Sequence, residues 1–241
     1  MLTIFLDRDG VINENRSDYV KSWGEFCFLA GSKEAIAMLT NAGHRIIVCT
    51  NQAGVARGHL SLETVEEIHR RMVAEIAQVG GRIERVYYCP HGKDENCSCR
   101  KPRPGMLLRA RDELGIDMHD AIFIGDSISD IQAALAAGVH PILVLTGLGM
   151  EHLREHYQEA DEPFHIAENL KNTTEIILQG GLLARLSTCG RTCAIDILTS
   201  TPSPTITWKV QAKTLPLLHC QRLPTLTASA MFVKKEITSY V

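Results

Sequence analysis

The feature that most constrains the fold is a series of short apolar runs, several of which end at a polar residue. Each run is too short for a helix, and most are rich in Ile, Val, Leu or Phe. Short, continuous runs of this kind are typical of strands buried on both faces of a parallel sheet. The sequence predicts strands over 2–6, 45–50, 83–88, 121–125 and 141–145, with a weaker one at 164–166.

Helical patterns separate these strands. Ser32 is predicted to cap a helix that ends near Ala42, with Gly43 as the residue after it, and Ser61 is predicted to cap a longer helix that stops at Gly80. The apolar side of the second helix is predicted to consist of Leu62, Val65, Ile68, Met72, Ile76 and Val79. Further helices are expected over 105–114, 127–137 and 168–178. The alternation predicts an α/β fold, a Rossmannoid parallel sheet with helices on both faces and right-handed crossovers.

In such a sheet, ligands bind outside the carboxyl ends of the strands. Asp7, Thr50, Cys89 and Asp126 all follow or end predicted strands, so they are expected at one edge. Asp7 also opens the segment Asp7-Arg8-Asp9-Gly10, in which two carboxylates stand two residues apart. An isolated pair of this kind is common in solvated turns. Its position after a buried strand instead favours a nucleophile with a nearby proton donor.

Four motifs in order make the chain resemble the haloacid dehalogenase (HAD) superfamily of phosphatases. The Asp7-Arg8-Asp9-Gly10 segment matches the first-strand motif of that superfamily, and Thr50, after Ile-Ile-Val-Cys, matches the second. Arg100-Lys101-Pro102 is similar to the basic third motif, and Gly125-Asp126-Ser-Ile-Ser-Asp130 to the fourth. The resemblance covers about residues 1–178 and implies a HAD-like phosphatase domain.

The resemblance implies a covalent mechanism with magnesium. Asp7 would be the nucleophile that forms an aspartyl-phosphate, and Asp9 would protonate the leaving oxygen and later activate water. Mg²⁺ would be bound by Asp7, the backbone carbonyl of Asp9, and Asp126, in keeping with the preference of this cation for oxygen ligands.

The same resemblance assigns supporting roles around the phosphoryl group. Thr50 and the backbone of Asn51 would donate hydrogen bonds to its oxygens, and Lys101 would offset the charge that it shares with the nucleophile. Asp130 lies one helical turn after Asp126, so it could either orient Lys101 or complete the outer shell of the metal.

A second constellation follows the third predicted strand. Cys89, His91, Cys97 and Cys99 lie within eleven residues of a segment too polar and too rich in Gly, Pro and Cys for regular structure. Three thiolates and one imidazole form the soft ligand set of a closed structural zinc site, which would brace the segment that delivers Arg100 and Lys101. The alternative is a group of reduced, unligated thiols.

Within the superfamily, the zinc segment, Asp7-Arg8-Asp9-Gly10 and Thr50-Asn-Gln resemble two related groups of phosphatases. These are the D-glycero-D-manno-heptose 1,7-bisphosphate 7-phosphatases and the histidinol-phosphate phosphatases, and Gly54-Val-Ala-Arg-Gly58 favours the former. Arg57 and Arg100 would then contact the sugar or the second phosphate of the substrate. A zinc-stabilised binding module that has lost catalysis is the alternative from another functional class.

Charge and composition divide the chain near residue 180. Residues 180–241 carry seven Lys/Arg against two Asp/Glu, and the rest of the chain has a net charge of −8. We predict a phosphatase domain over 1–179 and a basic, poorly ordered Thr/Ser/Pro-rich tail over 180–241. The acidic domain disfavours nucleic acid as a partner.

The N-terminal sequence has neither the basic region nor the long apolar run of an export signal, so we expect a cytoplasmic protein without a membrane partner. We expect it to act as a monomer on a small phosphorylated metabolite. The predicted connections after the first two strands are short, which predicts an open site without a large cap domain.

Overall fold

The computed structural model describes residues 1–156, 164–180 and 195–197 of the 241-residue chain. Seven strands form one sheet in the order β3-β2-β1-β4-β5-β6-β7, and every neighbouring pair is parallel. The strands are β1 Thr3–Leu6, β2 Arg45–Asn51, β3 Arg85–Cys89, β4 Ala121–Gly125, β5 His140–Val144, β6 Phe164–Ala167 and β7 Ile195–Ile197. The predicted parallel α/β fold is confirmed.

In the described part of the chain, six α-helices connect these strands. They are α1 Ser32–Asn41, α2 Leu62–Gln78, α3 Gly105–Leu114, α4 Ile128–Ala136, α5 Gly149–His156 and α6 Leu170–Leu178. Single turns of 3₁₀-helix lie at Trp23–Glu25, Lys93–Glu95 and Met118–Asp120. The connections to α1 and α2 are short, so the described chain places no large cap domain after either of the first two strands.

The sheet is buried on both faces, which explains the uninterrupted apolar runs. In β1, Ile4 and Leu6 join a core formed with α1, α2 and α6, whereas Phe5 joins a second core formed with α3 and α4. Ile122 and Ile124 of β4 repeat this alternation. Helices therefore cover both faces, as predicted.

The ends of the helices show where local prediction holds and where it fails. Ser61 caps α2, and its side chain accepts a hydrogen bond from the Thr64 backbone N–H at 3.2 Å. The prediction that Ser32 caps α1 is wrong. Gly31 is the capping residue, with a left-handed φ of 77°, and the hydroxyl of Ser32 donates instead to the carbonyl of Ile12 at 2.8 Å.

Two further differences concern helices. Leu62 and Val79 were predicted on the apolar side of α2, but both are exposed, because they lie at the two ends of that helix. Helix α5 was not predicted, since its short segment contains mostly polar residues.

The described residues beyond 180 are those of β7, which pairs with β6. The sheet thus includes a short segment of the predicted tail. The remainder of that segment, and with it the prediction of poor order, lies outside the described residues.

Candidate active site

Two adjacent strands bring the acidic residues together. Asp7 follows β1, Asp126 follows β4, and these strands pair in register, so the two side chains leave the same edge of the sheet. Asp130, in the first turn of α4, joins them, and one carboxylate oxygen of each of the three residues lies within 4.8 Å of the others. We call Asp7, Asp126 and Asp130 the aspartate cluster.

The Asp126 carboxylate sits in a cradle built by glycines. Its Oδ2 accepts a hydrogen bond from the Leu148 backbone N–H at 2.8 Å. A Cβ added at Gly10 or Gly147 would overlap that same oxygen, and both glycines have positive φ, 82° and 56°. Thr146 tightens this contact by donating through Oγ1 to the carbonyl of Gly10 at 2.6 Å. Asp126 is thus held by close backbone approach at a point where a larger residue has no room.

Lys101 lies against two members of the aspartate cluster with only 2% of its surface exposed. Its Nζ is 2.9 Å from Asp7 Oδ1 and 2.6 Å from Asp130 Oδ1, and it donates to the carbonyl of Cys49 at 2.9 Å. Burial alone would lower the pKa of Lys101, but Asp130 and Asp7 outweigh it and raise this pKa. The ammonium is therefore permanently charged beside the Asp7 carboxylate.

Asp130 divides its two oxygens between two tasks. Oδ1 pairs with Lys101, and Oδ2 accepts from the backbone N–H and the hydroxyl of Ser127 at 3.0 and 2.7 Å. Ser127 in turn caps α4, so Asp130 completes a reciprocal capping box. Of the two roles open for Asp130, the geometry supports orientation of Lys101.

The end of β2 supplies Thr50 and Asn51. Thr50 is buried, and its Oγ1 accepts a hydrogen bond from Gln52 Nε2 at 2.9 Å. The Asn51 side chain makes a reciprocal pair with the backbone of Lys101: Oδ1 accepts from the Lys101 N–H and Nδ2 donates to the Lys101 carbonyl, both at 3.1 Å. We call this pair the Asn51 bridge. It ties the segment that carries Lys101 directly to β2.

Asp9 is surrounded by donors. Its Oδ1 accepts from Arg8 Nη2 at 2.9 Å and from Asn13 Nδ2 at 2.8 Å, and its Oδ2 accepts from Gln52 Nε2 at 2.8 Å. Burial alone would raise the pKa of Asp9, but the charge of Arg8 and the hydrogen bonds from Asn13, Arg8 and Gln52 outweigh it and lower this pKa. These donors therefore fix the direction of the Asp9 carboxylate.

Several residues that support Arg8, Asp9 and Asp126 were not predicted, most of them because they act through contacts distant in the chain. His69 of α2 is among them: its Nε2 lies 3.1 Å from Arg8 Nη1. One signal was available for His69, which lies four residues after Val65 and three before Met72 and therefore shares the buried side of the helix. Gln52, Asn13, Gly147 and Leu148 carried no such local signal.

The two predicted substrate arginines lie on different segments. Arg57, in the loop between β2 and α2, is exposed, and its guanidinium carbon is 5.7 Å from the ring centroid of Tyr19. Tyr19 also stacks on His59, with ring centroids 5.5 Å apart. Arg100 is half-buried and donates to the carbonyl of His91 at 3.1 Å. Neither arginine pairs with the aspartate cluster, so both keep hydrogen-bonding capacity for a ligand.

The electrostatics of the aspartate cluster fit a divalent cation. Burial, together with the charges of Asp130 and Asp9, raises the pKa of Asp7 to about 7 against the opposing effect of Lys101. Burial and the charges of Asp7 and Asp130 raise the pKa of Asp126 well above its ordinary value. Three carboxylates face one ammonium, and this excess negative charge is what a magnesium ion offsets through oxygen ligands.

The four predicted zinc ligands also come together. Cys89 Sγ lies 3.2 Å from Cys99 Sγ and 3.6 Å from Cys97 Sγ, and His91 Nδ1 lies 3.3 Å from Cys99 Sγ. A tetrahedron of such ligands around zinc has edges of about 3.5–3.8 Å. We call these four residues the cysteine cluster. Its donor set fits a closed zinc site that leaves no position for a substrate, and its separations of 3.2–3.6 Å are close to those edges.

The chain is similar to several known phosphatases. A family model described as HAD-hydrolase-like matches residues 98–173. A D-glycero-beta-D-manno-heptose-1,7-bisphosphate 7-phosphatase of Pseudomonas putida is 45% identical over 159 residues, which cover 66% of this chain and 91% of the relative. A D-glycero-alpha-D-manno-heptose-1,7-bisphosphate 7-phosphatase of Campylobacter jejuni is 39% identical over 59% of this chain and 81% of its own length.

The fold is also similar to that of a solved heptose bisphosphate phosphatase. The D,D-heptose 1,7-bisphosphate phosphatase of Bordetella bronchiseptica, crystallised with magnesium and phosphate, superposes with a TM-score of 0.70 at 40% identity. The match covers 75% of this chain and 99% of that structure. Among the residues described here, no helix is both long and apolar enough to cross a bilayer.

Proposed function

Since the chain belongs to the HAD-like hydrolases, in the family of the heptose bisphosphate phosphatases, and is a phosphatase, we propose that it removes the 7-phosphate of D-glycero-D-manno-heptose 1,7-bisphosphate. The observation that carries this proposal is the buried Lys101 ammonium paired with Asp7 at the strand edge. The 45% identity to a relative named for that activity supports the same proposal. An ammonium beside a buried carboxylate provides what phosphoryl transfer requires, which is positioning and charge stabilisation.

In the proposed first step, an Asp7 carboxylate oxygen attacks the phosphorus of the 7-phosphate. Asp9 takes up one proton from solvent when the anionic substrate binds beside it, because a nearby negative charge raises the pKa of a carboxyl group. The bond from phosphorus to the sugar oxygen then breaks, its electron pair stays on that oxygen, and the oxygen takes the proton from Asp9. The products are the dephosphorylated sugar, an aspartyl-phosphate at Asp7 and the Asp9 carboxylate. Lys101, Thr50 and the Asn51 backbone hold the phosphoryl oxygens during the transfer.

In the second step, water attacks the aspartyl-phosphate and gives its proton to Asp9. The bond from phosphorus to the Asp7 oxygen breaks, which releases inorganic phosphate and restores the Asp7 carboxylate. Asp7, Asp126 and the backbone carbonyl of Asp9 would hold the magnesium ion, which offsets the charge of nucleophile and phosphate when bound. Asp130 keeps the Lys101 ammonium directed at Asp7.

Arg57 and Arg100 are proposed to bind the phosphate that is not cleaved. Each guanidinium offers a planar set of donors that suits a phosphate or a sugar hydroxyl pair. The cysteine cluster is proposed to hold a structural zinc ion, because all four of its ligand positions are filled by protein atoms. We place the reaction in the cytoplasm, with the chain acting as a monomer.

The test measures phosphate release by the full chain with Mg²⁺ from the beta and alpha anomers of the heptose bisphosphate and from histidinol phosphate. We expect the heptose bisphosphate to be turned over faster than histidinol phosphate, with one phosphate released for each sugar. Both anomers are included because relatives with either specificity are similar to this chain. Faster turnover of histidinol phosphate would overturn the proposed substrate, while no release from any phosphomonoester would overturn the proposed mechanism.

A further inference from the structure

Arg8 is the only residue between the two aspartates of the first motif, yet its side chain is completely buried. Its guanidinium points back at Asp9: Nε lies 3.3 Å and Nη2 lies 2.9 Å from Asp9 Oδ1, and Nη2 is also 2.9 Å from Oδ2. The ring of Phe26 lies against the guanidinium, with its centroid 5.9 Å from the guanidinium carbon. A buried arginine in this position needs a partner for its remaining nitrogen.

His69 is that partner. Its Nε2 lies 3.1 Å from Arg8 Nη1. Because an arginine nitrogen can only donate, the imidazole must accept through an unprotonated Nε2 and is therefore neutral. Burial and the charge of Arg8 hold the pKa of His69 at about 3, which agrees with this geometry. The ring is fixed from the side by Tyr88, with centroids 5.3 Å apart at 60°.

This arrangement connects helix α2 to the proposed proton donor. The guanidinium is a rigid planar fork, so pinning Nη1 on His69 fixes the direction in which Nε and Nη2 point. Those two nitrogens hold Asp9 from one side, and Gln52 and Asn13 hold it from the others. Without His69, a buried Nη1 donor would lose its partner and the fork could turn toward another acceptor.

We propose that His69 is a positioning residue that acts through Arg8 to fix the Asp9 carboxyl group where it can protonate the leaving oxygen. The inference rests on the proposed function and deepens it, since it assigns a role in proton transfer to a residue outside all four motifs. The proton passes from Asp9 to the sugar oxygen as the phosphorus–oxygen bond breaks. His69 neither gives nor takes a proton in this step.

If His69 positions Asp9, the effect of substituting His69 depends on the leaving group of the substrate. A sugar alkoxide leaves only as fast as it is protonated, so a misplaced Asp9 slows its departure. A nitrophenolate is a stable anion and leaves without a proton, so its departure is insensitive to Asp9. A defect in positioning therefore separates the two kinds of substrate, whereas a defect in folding or in the aspartate cluster lowers both.

The experiment compares His69→Leu and His69→Gln in the full chain, with heptose 1,7-bisphosphate and p-nitrophenyl phosphate as substrates. For His69→Leu we expect kcat/KM for the sugar bisphosphate to fall about 10–100-fold, the scale seen when a residue that orients a reacting group is removed. For p-nitrophenyl phosphate we expect kcat/KM, which depends on formation of the aspartyl-phosphate and not on its hydrolysis, to change by less than about threefold. His69→Gln should recover most of the loss, because its amide oxygen can accept from Arg8 Nη1.

Ile76→Val on the same helix serves as the matched control, because it trims a buried side chain of α2 that lies in the apolar core. Ile76→Val should change kcat/KM for the two substrates by the same factor or leave both values unchanged. Equal losses on both substrates for His69→Leu, or no recovery in His69→Gln, would overturn the proposal. Should His69→Leu fail to fold, Arg8→Lys keeps the charge and removes the fork, and it must show the same split between substrates.

Measurements on the wild-type chain test the proposed substrate separately from the role of His69. If it hydrolyses a different alkyl phosphate and spares the heptose bisphosphate, the proposed substrate is wrong. The split between alkyl and nitrophenyl phosphate is then measured with that alkyl phosphate, and its absence still refutes the role of His69.

Discussion

The aspartate cluster and the cysteine cluster are built in opposite ways. Asp7 and Asp126 follow paired strands of the sheet, and backbone contacts from Gly10, Gly147 and Leu148 hold Asp126 in place. In the cysteine cluster, Cys89 ends a strand, while His91, Cys97 and Cys99 lie in a connection whose regular structure is one 3₁₀ turn at Lys93–Glu95. One cluster is placed by the fold, and the other shapes the segment that contains it.

Because the two clusters are built differently, loss of a metal ion should have different effects at each. The sheet fixes the carboxylates of the aspartate cluster whether or not a cation is bound, and their crowding is a cost that the cation relieves. The cysteine segment contains little regular structure, so a zinc ion held by its four ligands would contribute directly to its folding. We therefore expect the aspartate cluster to govern activity and the cysteine cluster to govern stability.

The largest effect is expected for Asp7→Asn. Loss of the nucleophile should lower phosphate release at least about 10⁴-fold, the scale seen when a catalytic nucleophile is removed. The melting temperature should be unchanged or slightly higher, since the substitution removes one charge from three crowded, buried carboxylates. Steady-state phosphate release and thermal melting measure the two quantities. Activity that survives Asp7→Asn would contradict the covalent mechanism.

Cys97→Ser should break the cysteine cluster with the opposite result. We expect the free energy of unfolding to fall by about 3 kcal/mol, or about 6–12 °C in melting temperature, because zinc binding contributes to folding. The Mg²⁺ concentration for half-maximal activity should change by less than about threefold. Cys27→Ser is the matched control, since Cys27 is exposed and outside the cluster. Equal melting temperatures for both variants would contradict the bracing role of zinc.

Gly147→Ala tests the cradle around Asp126. A methyl group there would overlap Asp126 Oδ2, so kcat/KM should fall about 10–100-fold and more Mg²⁺ should be needed. Gly138→Ala is the control for backbone strain alone, because Gly138 has a similar positive φ of 73° and open space around it. Titrating activity with Mg²⁺ distinguishes the variants. If both lose activity to the same extent, the cradle has no specific role.

The smallest expected effect concerns acid stability. His69 has a pKa of about 3 in the folded chain, against an ordinary value of 6.5. The unfolded chain therefore binds a proton below pH 6.5 that the folded chain does not, and the folded chain loses stability as pH falls from 6.5 toward 3. Between pH 7.5 and 5.5, His69 should lower the free energy of unfolding by about 1.4 kcal/mol. The His69→Gln variant should lack this contribution.

Urea unfolding of the wild type and His69→Gln at the two pH values measures this difference. The carboxylates and the cysteine cluster titrate in both proteins, so their contributions cancel in the comparison. A wild-type chain that loses no more stability than the variant between pH 7.5 and 5.5 would show that His69 is not held neutral.

The strands and most helices could be predicted because their signals are local. A continuous apolar run such as Ile4–Leu6 marks a strand that is buried on both faces, and Ser61 marks a helix start through its own side chain. Ser32 shows the limit of this reasoning. Its type suits a helix cap, but a nearby carbonyl, that of Ile12, takes its hydroxyl once the chain folds.

The residues of the site divide in the same way. Asp7 and Asp126 could be placed from the sequence, since both follow apolar runs and parallel strands align their carboxyl ends. Gly147 and Gln52 could not, because their roles depend on contacts with Asp126 and Asp9 from distant parts of the chain. No spacing within the sequence encodes such contacts.

The Asn51 bridge decides how freely the zinc-binding segment can change during evolution. The backbone of Lys101 is fastened to the end of β2 by two hydrogen bonds, independently of Cys89, Cys97 or the residues between them. Insertions or deletions between Cys89–His91 and Cys97–Cys99 would therefore leave the Lys101 ammonium where it is. The length of that segment is open to variation among descendants of this chain, while Asn51 is not.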